Sequence, residues 1–119
     1  MRKESSTNFI NETTLQDFCN ANRTLLLIQG RWKLSILFSL LEKDQRSYSD
    51  FKKLLPAVSD RVLSLQLKSL AYDGIVIKQN LDGKTWYALT QKGKELQPVL
   101  QAMAGFMAIQ DKAERKILE

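Results

Sequence analysis

The chain has 119 residues, 44% hydrophobic and 26% charged, with a net charge of +5 and a pI of about 9.4. That is one domain's length, enough to bury a real core, and the positive excess favours polyanions or anionic surfaces as partners. The sequence holds no histidine and one cysteine, which removes the usual general base, a Ser-His-Asp arrangement, most zinc sites and any internal disulfide.

Residues 1–13 are polar and read as a flexible N-terminal segment ahead of a domain over 14–119. "MRKESSTNFINETT" has no signal-peptide core, and no apolar run spans a bilayer, so a reducing, cytoplasmic setting is expected. Helical apolar spacing builds through "TLQDFCNANRTLLLIQG", with a start near Thr14 and Gly30 as its C-cap. A second helix follows in "RWKLSILFSLLEKD", where Trp32, Ile36, Leu37, Leu40 and Leu41 recur at helical spacing. "QRSY" reads as a strand fragment. "SDFKKLLP" reads as a short helix capped by Ser49, with Pro56 disfavouring helix at Leu55. Ser59 is the natural N-cap of the next helix, and Gly74 stops it. The period then changes: "IVIKQN" and "TWYALT" flank Asp82-Gly83, a strong hairpin turn. Thr90 caps a last long helix, which Pro98 should kink or interrupt.

The helix after Ser59 has an unusual outward face. Val62, Leu63, Leu67 and Leu70 supply an inner stripe. At about 100° per residue, Arg61, Leu65, Lys68 and Tyr72 line the opposite side, a leucine and a tyrosine among cations and no glutamate. A tight helix-turn-helix followed at once by a hairpin is the winged-helix arrangement, mainly α with a small β wing, whose second motif helix enters the DNA major groove. That placement explains the face. Arg61 and Lys68 reach phosphates or guanine edges, Ser59 and Ser64 bond phosphates or bases, and Leu65 packs on a thymine methyl. Lys78 and Lys84 put positive charge on the wing. Residues 19–110 hold 13 basic and 7 acidic side chains, in keeping with a phosphate-facing domain. The competing reading is a solvated face, with Leu65 or Tyr72 packed on a neighbour, in a winged helix that binds protein without specific DNA binding. Trp32 and Trp86 are read as core, with a small-ligand pocket as the alternative.

Four pieces, "LLLIQGRWKLSILFSLL" at 25–41, "FKKLLPAVSDRVLSLQLKSLAYDGIV" at 51–76, "WYALTQKGKELQPVL" at 86–100 and Cys19, together resemble the HxlR family of bacterial winged-helix transcription regulators, relatives of the MarR type. The resemblance implies a homodimer that binds promoter DNA, read here as a repressor. No enzymatic activity, cofactor or metal is expected, since histidine, a cysteine pair, a phosphate-cradling glycine loop and paired carboxylates are lacking. It implies a dimer surface drawn from Phe18, Leu25 and Leu26 of the first helix and Val99, Leu100, Met103, Phe106 and Met107 of the last. Val99, Leu100 and Met103 have a second reading as core.

Three positions depart from the family pattern. The family's Arg before the aromatic of the short strand is Ser47 here, leaving Arg46, one residue earlier, as the candidate phosphate contact. Leu65 stands where the family is usually polar, and Asn20 replaces a proline after the cysteine. Some family members sense oxidants or electrophiles through the cysteine that Cys19 matches. Asn20 lets the helix run through Cys19, which removes a helix N-terminus as activator of the thiol. Sensor and small apolar filler are both open at this point.

Overall fold

The computed structural model describes the backbone of residues 2–118 and the side chains of residues 11–118. In chain order the elements are α1 (Arg2–Ile28), α2 (Arg31–Glu42), β1 (Gln45–Ser47), α3 (Tyr48–Leu54), α4 (Asp60–Tyr72), β2 (Val76–Leu81), β3 (Lys84–Leu89), α5 (Gln91–Lys94) and α6 (Gln97–Leu118). Two compact units are distinguished, Met1–Arg31 and Trp32–Glu119.

The first unit is the helix α1. It starts at Arg2, not near Thr14. Most of the segment expected to be flexible, 1–13, has side chains outside the described residues.

The second unit is the winged helix. α2 buries Ile36, Leu37 and Leu40, α3 buries Phe51, and α4 buries Leu63, Leu67 and Leu70. Ile75, Val76, Tyr87, Leu89, Leu96 and Leu100 close the core. Phe51 and Tyr87 meet edge to face, with ring centroids 6.0 Å apart. The sheet is antiparallel in the order β1-β3-β2.

Local chemistry sets each boundary. α3 is capped by Ser47, not Ser49: Ser47 Oγ accepts from Asp50 N at 3.1 Å, and Ser47 N donates to Asp50 Oδ2 at 2.9 Å. This reciprocal capping box holds the Asp50 carboxyl below the usual carboxylate range, through the backbone hydrogen bond from Ser47 first. α3 ends at Leu54, and Leu55 before Pro56 leaves helical geometry. α4 ends in a Schellman motif: Gly74 N donates to Ala71 O at 3.1 Å and Ile75 N to Leu70 O at 2.9 Å. Leu70 and Ile75, which flank the motif, are both fully buried. The β2–β3 hairpin turns on Asp82 and Gly83, with φ of 50° and 77°, the type I′ geometry that suits the strand twist.

The final helical stretch is divided. Thr90 Oγ1 accepts from Gly93 N at 3.0 Å to cap the short α5. The helix restarts at Gln97, so Pro98 lies in the first turn of α6, where its missing N–H costs no intrahelical bond. Gly93 lies under the end of α4: a Cβ there would strike the carbonyl oxygen of Ile75.

Candidate nucleic-acid interface

α4 presents the face expected of it. Leu63, Leu67 and Leu70 are buried, while Arg61, Ser64, Leu65, Lys68 and Tyr72 are exposed. Leu65 is 53% exposed and Tyr72 91% exposed, so neither belongs to the core. Ser59 is the N-cap, and its Oγ accepts from Val62 N at 3.1 Å. That leaves its hydroxyl proton for a further acceptor.

A cluster that the sequence reading passed over fixes the start of this helix. Tyr48, the first residue of α3, reaches α4 with its hydroxyl, 3.2 Å from Asp60 O and 3.3 Å from Ser64 Oγ. Lys52 Nζ pairs with Asp60 Oδ1 at 2.9 Å and donates to Val58 O at 2.9 Å. The Lys52 hydrogen bond and charge hold the Asp60 carboxyl below the usual range, with a smaller contribution from Tyr48. Asp60 is thus an ionised acid on a mainly basic face, matched to the positive end of the α4 dipole and neutralised by Lys52. The residues 47–50, Ser-Tyr-Ser-Asp, spell a capping box that places Tyr48 at a helix start. The bond from Tyr48 to Ser64, far along the chain, has no local signal.

The wing carries further positive charge. Lys78 lies opposite Tyr87, and Lys84 closes the turn opposite Leu81. Both lysines are exposed. Between α4 and the wing runs a groove of about 360 Å³, lined by Ser64, Leu67, Lys68, Ala71, Lys78 and Tyr87. Three of the expected contact residues, Ser64, Lys68 and Lys78, therefore share one groove. Burial raises the Tyr87 phenol at its floor above its ordinary pKa, with Tyr48 as a lesser cause.

Two expected residues lie elsewhere. Arg46 is only 9% exposed. Its Nε donates to Ser39 O at 2.9 Å, and Nη2 stands 4.0 Å from Glu42 Oε1. A guanidinium held against α2 is not presented beside Arg61 and Lys68. Leu100 is 1% exposed and belongs to the core of its own chain, which corrects its assignment to a dimer surface.

The other apolar candidates are open. On α6, Val99, Met103, Phe106 and Met107 are exposed, and Ile117 continues their line. On α1, Phe18, Leu25 and Leu26 are exposed, with Leu15 on the same stripe. Cys19 lies inside α1 and is exposed, not a core filler, about 40° around the helix from Leu15.

The HxlR-like helix-turn-helix family pattern matches residues 27–115. The chain belongs to the HxlR family. Its relatives include the HTH-type transcriptional regulator YdeP of Bacillus subtilis, itself uncharacterised, 35% identical over 88 residues that cover 71% of this chain and 68% of YdeP. Among solved structures, the redox regulator HypR in its oxidised form is 30% identical, covers 74% of this chain and 93% of its own, and superposes with a TM-score of 0.68. Diamide-treated YodB from B. subtilis is 30% identical over 71% of this chain and 86% of its own, with a TM-score of 0.63. The family is one of winged helix-turn-helix transcription regulators, not of enzymes. One piece of the HxlR resemblance, Tyr-x-Leu-Thr-x-x-Gly-x-x-Leu at 87–96, is structural: Tyr87, Leu89 and Leu96 are core, Thr90 caps, and Gly93 admits the Ile75 carbonyl. Among the described residues, no single helix is long and apolar enough to cross a membrane.

Proposed function

We propose that this HxlR-family regulator is a sequence-specific repressor that acts as a homodimer on promoter DNA. The observation that carries the proposal is the exposed face of α4, where Arg61, Ser64, Leu65 and Lys68 project together and Leu65 stands outside the core. In the major groove the two cations meet phosphates or guanine edges, Ser64 bonds base edges, and Leu65 packs on a thymine methyl. Ser59 at the helix start and Lys78 and Lys84 on the wing contact phosphates. Phe18, Leu25 and Leu26 of α1, with Val99, Met103, Phe106 and Met107 of α6, form the dimer surface. Selection of bound duplexes from a random pool tests this. The expected product is an inverted repeat bound by a dimer in sedimentation, and a promoter reporter gains expression when the protein is removed. An unenriched pool favours a winged helix that binds protein instead.

Responsiveness to oxidants or electrophiles through Cys19 belongs to the same proposal. It is supported by the exposure of Cys19 and by similarity to the redox regulator HypR. With one thiol per chain, any disulfide joins two chains or a chain and a small thiol. Cys19→Ser should keep DNA binding and lose release by diamide. A wild-type protein that stays bound in diamide and in a quinone excludes the sensor role.

A further inference from the structure

Three oxygens lie within reach of the half-buried Tyr48 hydroxyl: Asp60 O at 3.2 Å, Asp60 Oδ1 at 3.4 Å and Ser64 Oγ at 3.3 Å. The phenol carries one proton. A peptide carbonyl can accept but not donate, and the same holds for the Asp60 carboxyl, which Lys52 Nζ at 2.9 Å keeps ionised. Were the phenol to give its proton to Ser64, its lone pairs would face both Asp60 oxygens with no proton between them. The phenol therefore donates to Asp60. The 3.3 Å contact is then closed by the Ser64 hydroxyl, which donates to Tyr48 Oη. Ser64 is exposed on the outer face of α4, and what it has left to offer there is the lone pairs of Oγ.

We propose that Tyr48 is a positioning residue that makes Ser64 an acceptor, so that Ser64 takes a hydrogen bond from the exocyclic amine of adenine or cytosine in the major groove. Those amines, N6 and N4, are the donors that the major groove presents. Its acceptors, guanine N7 and O6 and thymine O4, would meet the Ser64 lone pairs, and so would phosphate oxygens. The proposal rests on α4 reading DNA, and it gives one side chain of that face a fixed polarity. Tyr48 stands on α3 and acts through Ser64, without touching a base itself.

The test uses the duplex that the full chain selects. Ser64→Ala locates the base pair whose preference Ser64 sets. At that pair the exocyclic amine is removed, with purine in place of adenine or 2-pyrimidinone in place of cytosine. Its loss should weaken the wild type about 2- to 12-fold, the net worth of one hydrogen bond, and leave Ser64→Ala nearly unchanged. A 7-deaza purine at the same pair, which lacks the N7 acceptor, should bind the wild type as before. Tyr48→Phe keeps the ring and frees the Ser64 proton, so it should relax preference at that pair alone, and relax nothing further in the Ser64→Ala background. A merely structural tyrosine would weaken every duplex alike. Should Tyr48→Phe fail to fold, the two base analogues decide. The proposal is overturned if amine removal has no effect, if the 7-deaza purine weakens the wild type but not Ser64→Ala, if Ser64→Ala changes no base preference, or if Tyr48→Phe keeps the wild-type preference or acts on all pairs equally. A pool that yields no enriched duplex sinks the DNA reading itself, and this proposal with it.

Discussion

Leu65 and Leu67 stand two residues apart on α4 and have opposite environments, 53% and 1% exposed. Leu67→Ala should cost about 2–5 kcal/mol of folding stability, as a buried leucine deletion does. Leu65→Gln should melt within about 0.5 kcal/mol of wild type yet change the preferred base at one position, because a methyl contact is exchanged for a hydrogen-bonding group. Arg61→Ala should weaken binding by about 1–3 kcal/mol with relaxed preference if its guanidinium is bidentate to guanine. Melts, and binding to the selected site and its single-base variants, check all three. If both exposed-face variants fold and bind as wild type, α4 does not read DNA. The two environments were legible in the sequence because 100° per residue separates them without any tertiary information. Arg46 was not legible, because its bond to Ser39 O depends on how β1 meets α2, which no local pattern announces. Nor was the Tyr48–Asp60–Lys52 cluster, which joins two helices through side chains remote in sequence.

The wing and the helix that follows it differ in what they contribute. The Asp82-Gly83 turn projects Lys84, and Lys84→Ala should weaken binding to all sequences about equally and make the salt dependence shallower, since phosphate contacts position without specifying. A changed base preference in that variant would mean that the wing reads bases. α5 serves the core: Gly93→Ala must push α5 off the Ile75 carbonyl and should cost about 1–3 kcal/mol in a thermal melt. A wild-type melting temperature would contradict the close approach described. Asp-Gly announced the hairpin and Thr90 the cap, since each acts within a few residues. The break between α5 and α6 was displaced from expectation, because Pro98 is accommodated in a first turn and does not cut a helix in half. The early start of α1 had no signal: residues 2–13 lack apolar periodicity, and helix propensity alone separates such polar residues weakly.

Across the molecule, exposed cations are spread over several elements: Arg61 and Lys68 on α4, Lys78 and Lys84 on the wing, Arg23 on α1, and Lys112, Arg115 and Lys116 on α6. What sets α1 and α6 apart is the large apolar side chains they leave exposed, Phe18, Phe106, Met107 and Ile117 among them. Such stripes are what a regulator needs if they meet a second copy. The fold class was legible because its element order is nearly unique to winged helices; the partner surfaces were legible only as patterns of exposure. The most direct test of the DNA-binding account is an anisotropy titration of the selected duplex between 50 and 200 mM salt. With about six to ten phosphate contacts per dimer, affinity should fall on the order of 10³–10⁵-fold as counterions are restored. An affinity that stays flat across that range would contradict the account and leave α4 and the wing as a surface for something other than nucleic acid.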